Sequence, residues 1–124
     1  MRLRITSNYP IKEVKELVRF ASKGVNHSHL TVWVKNSSRS FAGRYFHYGH
    51  IVARIGRPKD FPCDMQYPGL KRAPAYEVQN WQEAMVVVVA HELRHHFQHK
   101  HHKRMSEIDA ERWAVKRLTA FRNR

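Results

Sequence analysis

Five consecutive residues, His91-Glu92-Leu93-Arg94-His95, set two imidazoles and a carboxylate at a spacing that can bind a divalent metal and use it. A helix advances about 100° per residue, so His91 and His95 project from one face, one turn apart, close enough to share an ion. Glu92, next to the first imidazole, can then take a proton from a water held by that ion. The chain has 10 His among 124 residues, so the same pattern also arises by chance in a solvated, His-rich helix end, and the flanking sequence has to decide. Trp81 to Ala90 are apolar enough for a helix buried on most sides, and Ala84, Val87 and Val88 lead along one face to His91 and His95. Imidazoles that continue a core stripe need partners, and a metal supplies them. Asn80 with Glu83 has the pattern of an N-terminal capping box, which sets where this helix begins.

A zinc site of this kind takes three protein ligands and keeps one position open. Three residues compete for the third place. Glu107 heads a helical stripe of Glu107, Ala110, Glu111, Ala114, Leu118 and Phe121, with Ser106 as the cap; the plainer alternative is that it only complements the helix dipole. His101 completes the three-His spacing H-E-x-x-H-x-x-G-x-x-H, but Gln98 stands where that pattern has the glycine that turns the chain, and Gln favours continuing the helix. Glu111, one turn beyond Glu107, is better suited to accept a hydrogen bond from the far ring nitrogen of a ligating His.

The motif followed by Glu107-Ile108-Asp109-Ala110-Glu111 resembles the gluzincin-type zinc metallopeptidases, in very small form. In such families H-E-x-x-H on one helix is followed by a Glu at the start of the next, often in a segment of the form E-x-x-A-[D/E]. The resemblance covers residues 84–118. It implies Zn2+ as cofactor, His91, His95 and Glu107 as its ligands, Glu92 as general base, Glu111 as supporting acid, and a protein or peptide as substrate. Minimal single-domain gluzincins and SprT-like proteases are the nearest comparisons by size, although SprT-like sites usually take a third His where this chain offers a Glu.

The elements that would position these residues can be read from periodicity. Arg2 to Thr6 alternates as a short strand, and Pro10 to Ala21 has helical spacing through Ile11, Val14, Leu17, Val18 and Ala21, with Gly24 as a stop. Leu30, Val32 and Val34 mark a half-buried strand, and Phe41–Tyr48 and Gly49–Ile55 two more, joined by a tight turn at Tyr48-Gly49-His50. The order β, α, β, β, β, α, α resembles a zincin-like α+β fold, in which a small twisted mixed sheet packs on the N-terminal helix and the motif helix, with a C-terminal helix following. By the same analogy Gly49–Ile55 is the expected edge strand to which an extended peptide would pair. Residues 56–80 carry Pro58, Pro62, Pro68 and Pro74 and predict a long loop bordering the cleft, from which Tyr67 or Tyr76 could donate a proton to an oxyanion; His50 is a further candidate helper.

Length and composition fit one domain spanning residues 1–124. No stretch is apolar enough to span a bilayer, the N-terminus has no apolar signal, and Cys63 is the only cysteine, so a cytoplasmic monomer without membrane attachment is expected. The net charge of +13, from 23 Lys and Arg against 10 acids, would attract phosphate backbones without reading bases, and acidic proteins as well; a solvated surface with no such role fits the count equally. Two other functions therefore stand beside the peptidase: a basic nucleic-acid-binding module on a zincin scaffold, and a metal-dependent amide hydrolase that is not a peptidase. The lone Cys63 weakens a deformylase-like version of the latter.

Overall fold

The computed structural model describes residues 1–124. The chain is α+β, with strands β1 (Arg2–Ile5), β2 (Thr31–Asn36), β3 (Phe41–Phe46), β4 (His50–Ile55), β5 (Cys63–Met65) and β6 (Tyr76–Val78), and helices α1 (Ile11–Ser22), α2 (Trp81–Lys100) and α3 (Glu107–Arg122). No helix is long and apolar enough to cross a membrane.

Four strands form a mixed sheet in the order β1-β2-β4-β3, in which β1, β2 and β4 are parallel and β3 is antiparallel to β4. Alternation decides which face is covered: Val32 and Val34 of β2 and Ile51, Ala53 and Ile55 of β4 are buried, whereas Trp33 and Lys35 between them are only partly so. Val14, Leu17, Val18 and Ala21 of α1 join the α2 residues Ala84, Met85, Val86, Val88, Val89 and Leu93 in the core built on that face. On its other side α2 meets α3 through Val87, Ala90, Ala114 and Leu118. A helix enclosed by a sheet, a second helix and a third has no polar face to spare, and this is why residues 84–90 are apolar all round.

Two expectations need correction. Gly49–Ile55 is not an edge strand: β4 lies between β2 and β3 with both of its edges paired. The turn at His47-Tyr48-Gly49, with Gly49 at φ +93°, folds β4 back inside β3. The edge strands are therefore β1 and β3, and β3 is the one that borders the motif helix. Residues 56–80 are also more ordered than a loop, because β5 and β6 pair antiparallel, Cys63 opposite Val78 and Met65 opposite Tyr76. Strands of three residues are too short to show a period in the sequence.

The far end of the helical layer is tied down by one charge pair. Asn80 caps α2 by accepting the Glu83 N–H at 2.9 Å, but Glu83 reaches back to the Gln79 N–H at 3.0 Å rather than to that of Asn80, so the predicted box closes one residue early. The same carboxylate accepts two hydrogen bonds from Arg122 at the end of α3, at 2.7 and 2.9 Å, and Arg122 also donates to the Glu77 carbonyl. Glu83→Ala should cost about 2–3 kcal/mol, less than for a fully buried pair because the Arg122 side chain is 40% exposed. The urea midpoint would fall with the m-value unchanged. Burial alone raises the Glu83 carboxyl, but the bonds from Arg122 and Gln79 outweigh it and hold the group below its ordinary range. A lowered folded pKa means that this stabilisation is complete above about pH 4.5 and is lost as pH falls through the folded value. Parent and variant should therefore converge in stability in acid.

Candidate metal centre

His91, Glu92 and His95 form a buried group that could hold a metal ion. They lie in a cleft of about 660 Å3, walled on one side by β3 and on the other by α2 and the head of α3. Val87 and Val88 line it just below the motif, as the stripe in the sequence implies, while Ala84 is enclosed in the core.

The hydrogen bonds on the outer ring nitrogens fix what the inner ones present. His91 Nδ1 lies 2.7 Å from Glu111 Oε1, and a carboxylate only accepts, so Nδ1 carries the proton. His95 Nδ1 lies 2.9 Å from Gln98 Oε1. The Gln98 amide cannot be turned the other way: its nitrogen donates to the Ser106 carbonyl at 3.1 Å and to Asp109 Oδ2 at 2.9 Å, and its oxygen also accepts the Ser106 N–H at 3.2 Å. With both Nδ1 atoms protonated, the two Nε2 atoms are left facing one another across 3.1 Å, where a proton or a metal ion can lie between them. The Glu107 carboxylate completes the trio, with Oε2 3.4 Å from His91 Nε2 and Oε1 in close contact with His95 Nε2. Three such atoms converging this closely repel one another unless a proton or a metal ion lies among them.

Two of the three separations suit a metal ion, and the third, between His95 Nε2 and Glu107 Oε1, is shorter than two ligands of one ion would stand. Donors held about 2.0–2.1 Å from a tetrahedral ion stand about 3.3 Å apart, and the 3.1 and 3.4 Å separations bracket that value. As a free imidazole His91 is opposed in its charge by burial, yet the carboxylates of Glu107 and Glu111 outweigh this and raise it to about 10. Glu107 is lowered to about 2, chiefly by its bond from His91. Glu92 behaves differently. Burial is the main influence and lifts it to about 7, with the neighbouring Glu107 and Glu111 charges adding to the rise and His91 opposing it. Its Oε2 stands 4.0 Å from His91 Nε2, beside the donors rather than among them.

β3 approaches this carboxylate so closely that only glycine fits. A Cβ on Gly43 would stand 2.7 Å from Glu92 Oε2 and 2.8 Å from Val88 Cγ1. The backbone of the free edge strand thus passes directly over Glu92, and Phe41 to Tyr45 line the cleft.

The other candidates separate cleanly. Glu107 heads α3, two-thirds buried, capped as expected by Ser106, which accepts the Asp109 N–H at 3.1 Å. His101 caps the C-terminus of α2, exposed, with its ring against Phe97; α2 runs on through Gln98 to Lys100 and carries it past the cleft. Tyr67 lines the cleft with its ring parallel to that of His91 at 6.1 Å, and burial, then the nearby Glu107 carboxylate, push its phenol well above the ordinary value. Tyr76 lies behind the site: its hydroxyl and Glu111 Oε2 are both buried without a hydrogen-bond partner. His50 packs against Tyr48 at the start of β4, away from the cleft.

Gln98 is the residue that the sequence did not single out for a role here. It is 1% exposed and attaches the His95 ring to both the backbone and a side chain of the α3 N-terminus. Its position three residues after His95, on the buried side of a helix, was the available signal. Gln98→Leu should leave the fold standing but lower affinity for a divalent cation by about 10–100-fold, as loss of a partner to a ligand's outer nitrogen does. Calorimetric titration of the two proteins would measure the change.

No family profile matches the chain, and no curated protein or solved structure matches it.

Proposed function

We infer that the chain is a zinc-dependent metallopeptidase in which His91, His95 and Glu107 hold Zn2+ and Glu92 is the general base. The observation that carries the reading is the convergence of His91 Nε2, His95 Nε2 and the Glu107 carboxylate, with both imidazoles oriented from behind by Glu111 and Gln98. Two nitrogens and one oxygen are a donor set that suits zinc and leaves a fourth position free. The same three residues are those that the gluzincin resemblance implies, and a mixed sheet packed on the motif helix agrees with a zincin-like arrangement.

Zinc bound there would supply Lewis acidity, making water a stronger acid and polarising a carbonyl. The protein's own groups would do the rest. Glu92, enclosed beside the donors with its Oε2 4.0 Å from His91 Nε2, is placed to take a proton from the attacking water and return it to the departing amine. Tyr67, whose phenol stays protonated, faces the cleft from the opposite wall and can donate to the developing oxyanion. The unpaired edge of β3 offers backbone N–H and C=O groups along the cleft, to which an extended peptide could pair antiparallel or parallel, and Gly43 lets that peptide run close above Glu92.

Glu92→Gln should keep one equivalent of zinc, measured by elemental analysis, while casein hydrolysis falls by at least about 100-fold. Parental turnover in that variant would end the mechanism. Glu107→Ala should lose zinc and His101→Ala should keep it; the reverse pattern would assign the third ligand to His101. Formyl peptides assayed in parallel separate a peptidase from another amide hydrolase.

A further inference from the structure

The acidic residues are distributed unevenly. None occurs in residues 17–59, 93–106 or 112–124, and these three stretches hold most of the Lys and Arg. Half of the acids elsewhere are occupied inside the fold: Glu92, Glu107 and Glu111 face the histidines, Glu83 binds Arg122, and Asp109 binds Arg94. The outward field is therefore more basic than the net charge suggests.

The three acid-free stretches meet at one cavity. It has a volume of about 510 Å3, lies across α2 from the metal-binding cleft, and is lined by Asn26 from the first stretch, Arg94, Phe97, Lys100 and His101 from the second, and Trp113 from the third. Its rings carry cations. Arg94 lies over both Phe97 and Trp113, at 4.3 and 5.1 Å from the ring centres, Lys103 lies over Phe97, and Arg117 over Trp113. Arg94 is neutralised by Asp109, but Lys100, Lys103 and Arg117 enter no ion pair.

We propose that this cavity and the cations around it bind single-stranded nucleic acid, with a base entering beside the stack that Phe97, Arg94 and Trp113 form and the flanking phosphates on Lys100, Lys103 and Arg117. A flat basic surface would serve any polyanion. Here the cations surround a recess walled by aromatic rings and guanidinium planes, and stacking on such walls favours an unpaired base over a carboxylate. A duplex keeps its bases stacked inside and would gain only the phosphate contacts. A lipid surface is not matched either: the exposed large apolar side chains are Ile11, Tyr48 and Met105, none of which lines this cavity. The site uses no residue of the metal-binding cleft, so it stands or falls separately from the peptidase reading.

The test is binding of a fluorescein-labelled 12-nucleotide deoxythymidine strand, followed by anisotropy across a salt series and by quenching of tryptophan fluorescence. The triple substitution Lys100→Ala, Lys103→Ala, Arg117→Ala should weaken binding at least tenfold and reduce the salt slope by about 2, since each single-strand phosphate contact contributes about 0.7. A charge-matched triple of Lys12→Ala, Lys59→Ala and Lys71→Ala should change affinity by less than threefold. Circular dichroism melts confirm that both variants are folded. Quenching on binding should be lost in Trp113→Phe, which keeps Trp33 and Trp81, and Glu92→Gln should bind as the parent does. Equal losses in the two triples, undiminished quenching in Trp113→Phe, or equally tight binding of a 12-base-pair duplex or of polyglutamate would each overturn the proposal.

Discussion

Two imidazole nitrogens that face each other across 3.1 Å, each with its proton committed to the opposite side of the ring, set the terms for this molecule. Such nitrogens converge only where a proton or a metal ion lies between them. Everything nearby enforces the convergence. Glu111 and Gln98 hold the outer nitrogens, the buried walls of the cleft prevent the rings from swinging to solvent, and Glu107 closes the third side. A site built in this way is preorganised, because the positions of its donors are determined by packing and not by the ion alone.

That convergence depends on how α3 is docked. Gln98 joins the His95 ring to Ser106 and Asp109, and Arg94 grips Asp109 with two hydrogen bonds, so the start of α3 is registered against the motif helix by polar contacts. At the other end Arg122 does the same through Glu83. Between them the contact is made by Val87, Ala90, Ala114 and Leu118, and the two alanines let the helices approach closely. Clamps at both ends with a close-packed middle fix the rotation of α3, and with it the direction in which Glu107 points.

The face of α2 turned away from the cleft has a different character. It carries Phe97, Lys100 and His101, and together with Trp113 it presents rings and cations where the opposite face presents acceptors. One helix thus separates a pocket suited to a small cation from a recess suited to a polyanion. The segregation follows from the sequence: of the five acids that α2 and α3 possess, Glu92, Glu107 and Glu111 face the histidines, and Glu83 and Asp109 are held by Arg122 and Arg94.

The sequence by itself determined the helix carrying His91 and His95, its cap at Asn80, the stripe from Ala110 to Phe121, and the existence of the four main strands, because each is a local period of apolar residues or a short-range hydrogen bond. It also made Glu107 and His101 competitors, and no local rule could separate them. Only the packing of α3 on α2 brings one of them to the imidazoles and leaves the other exposed. The same holds for the edge of the sheet: β3 and β4 each read as strands, but which of them lies outside depends on pairing between residues far apart in the chain, and so Gly43, not β4, comes to lie above Glu92. Gln98 could be seen in the sequence only as the residue that keeps the helix going; its hold on His95 became visible once Ser106 and Asp109 had fixed the orientation of its amide.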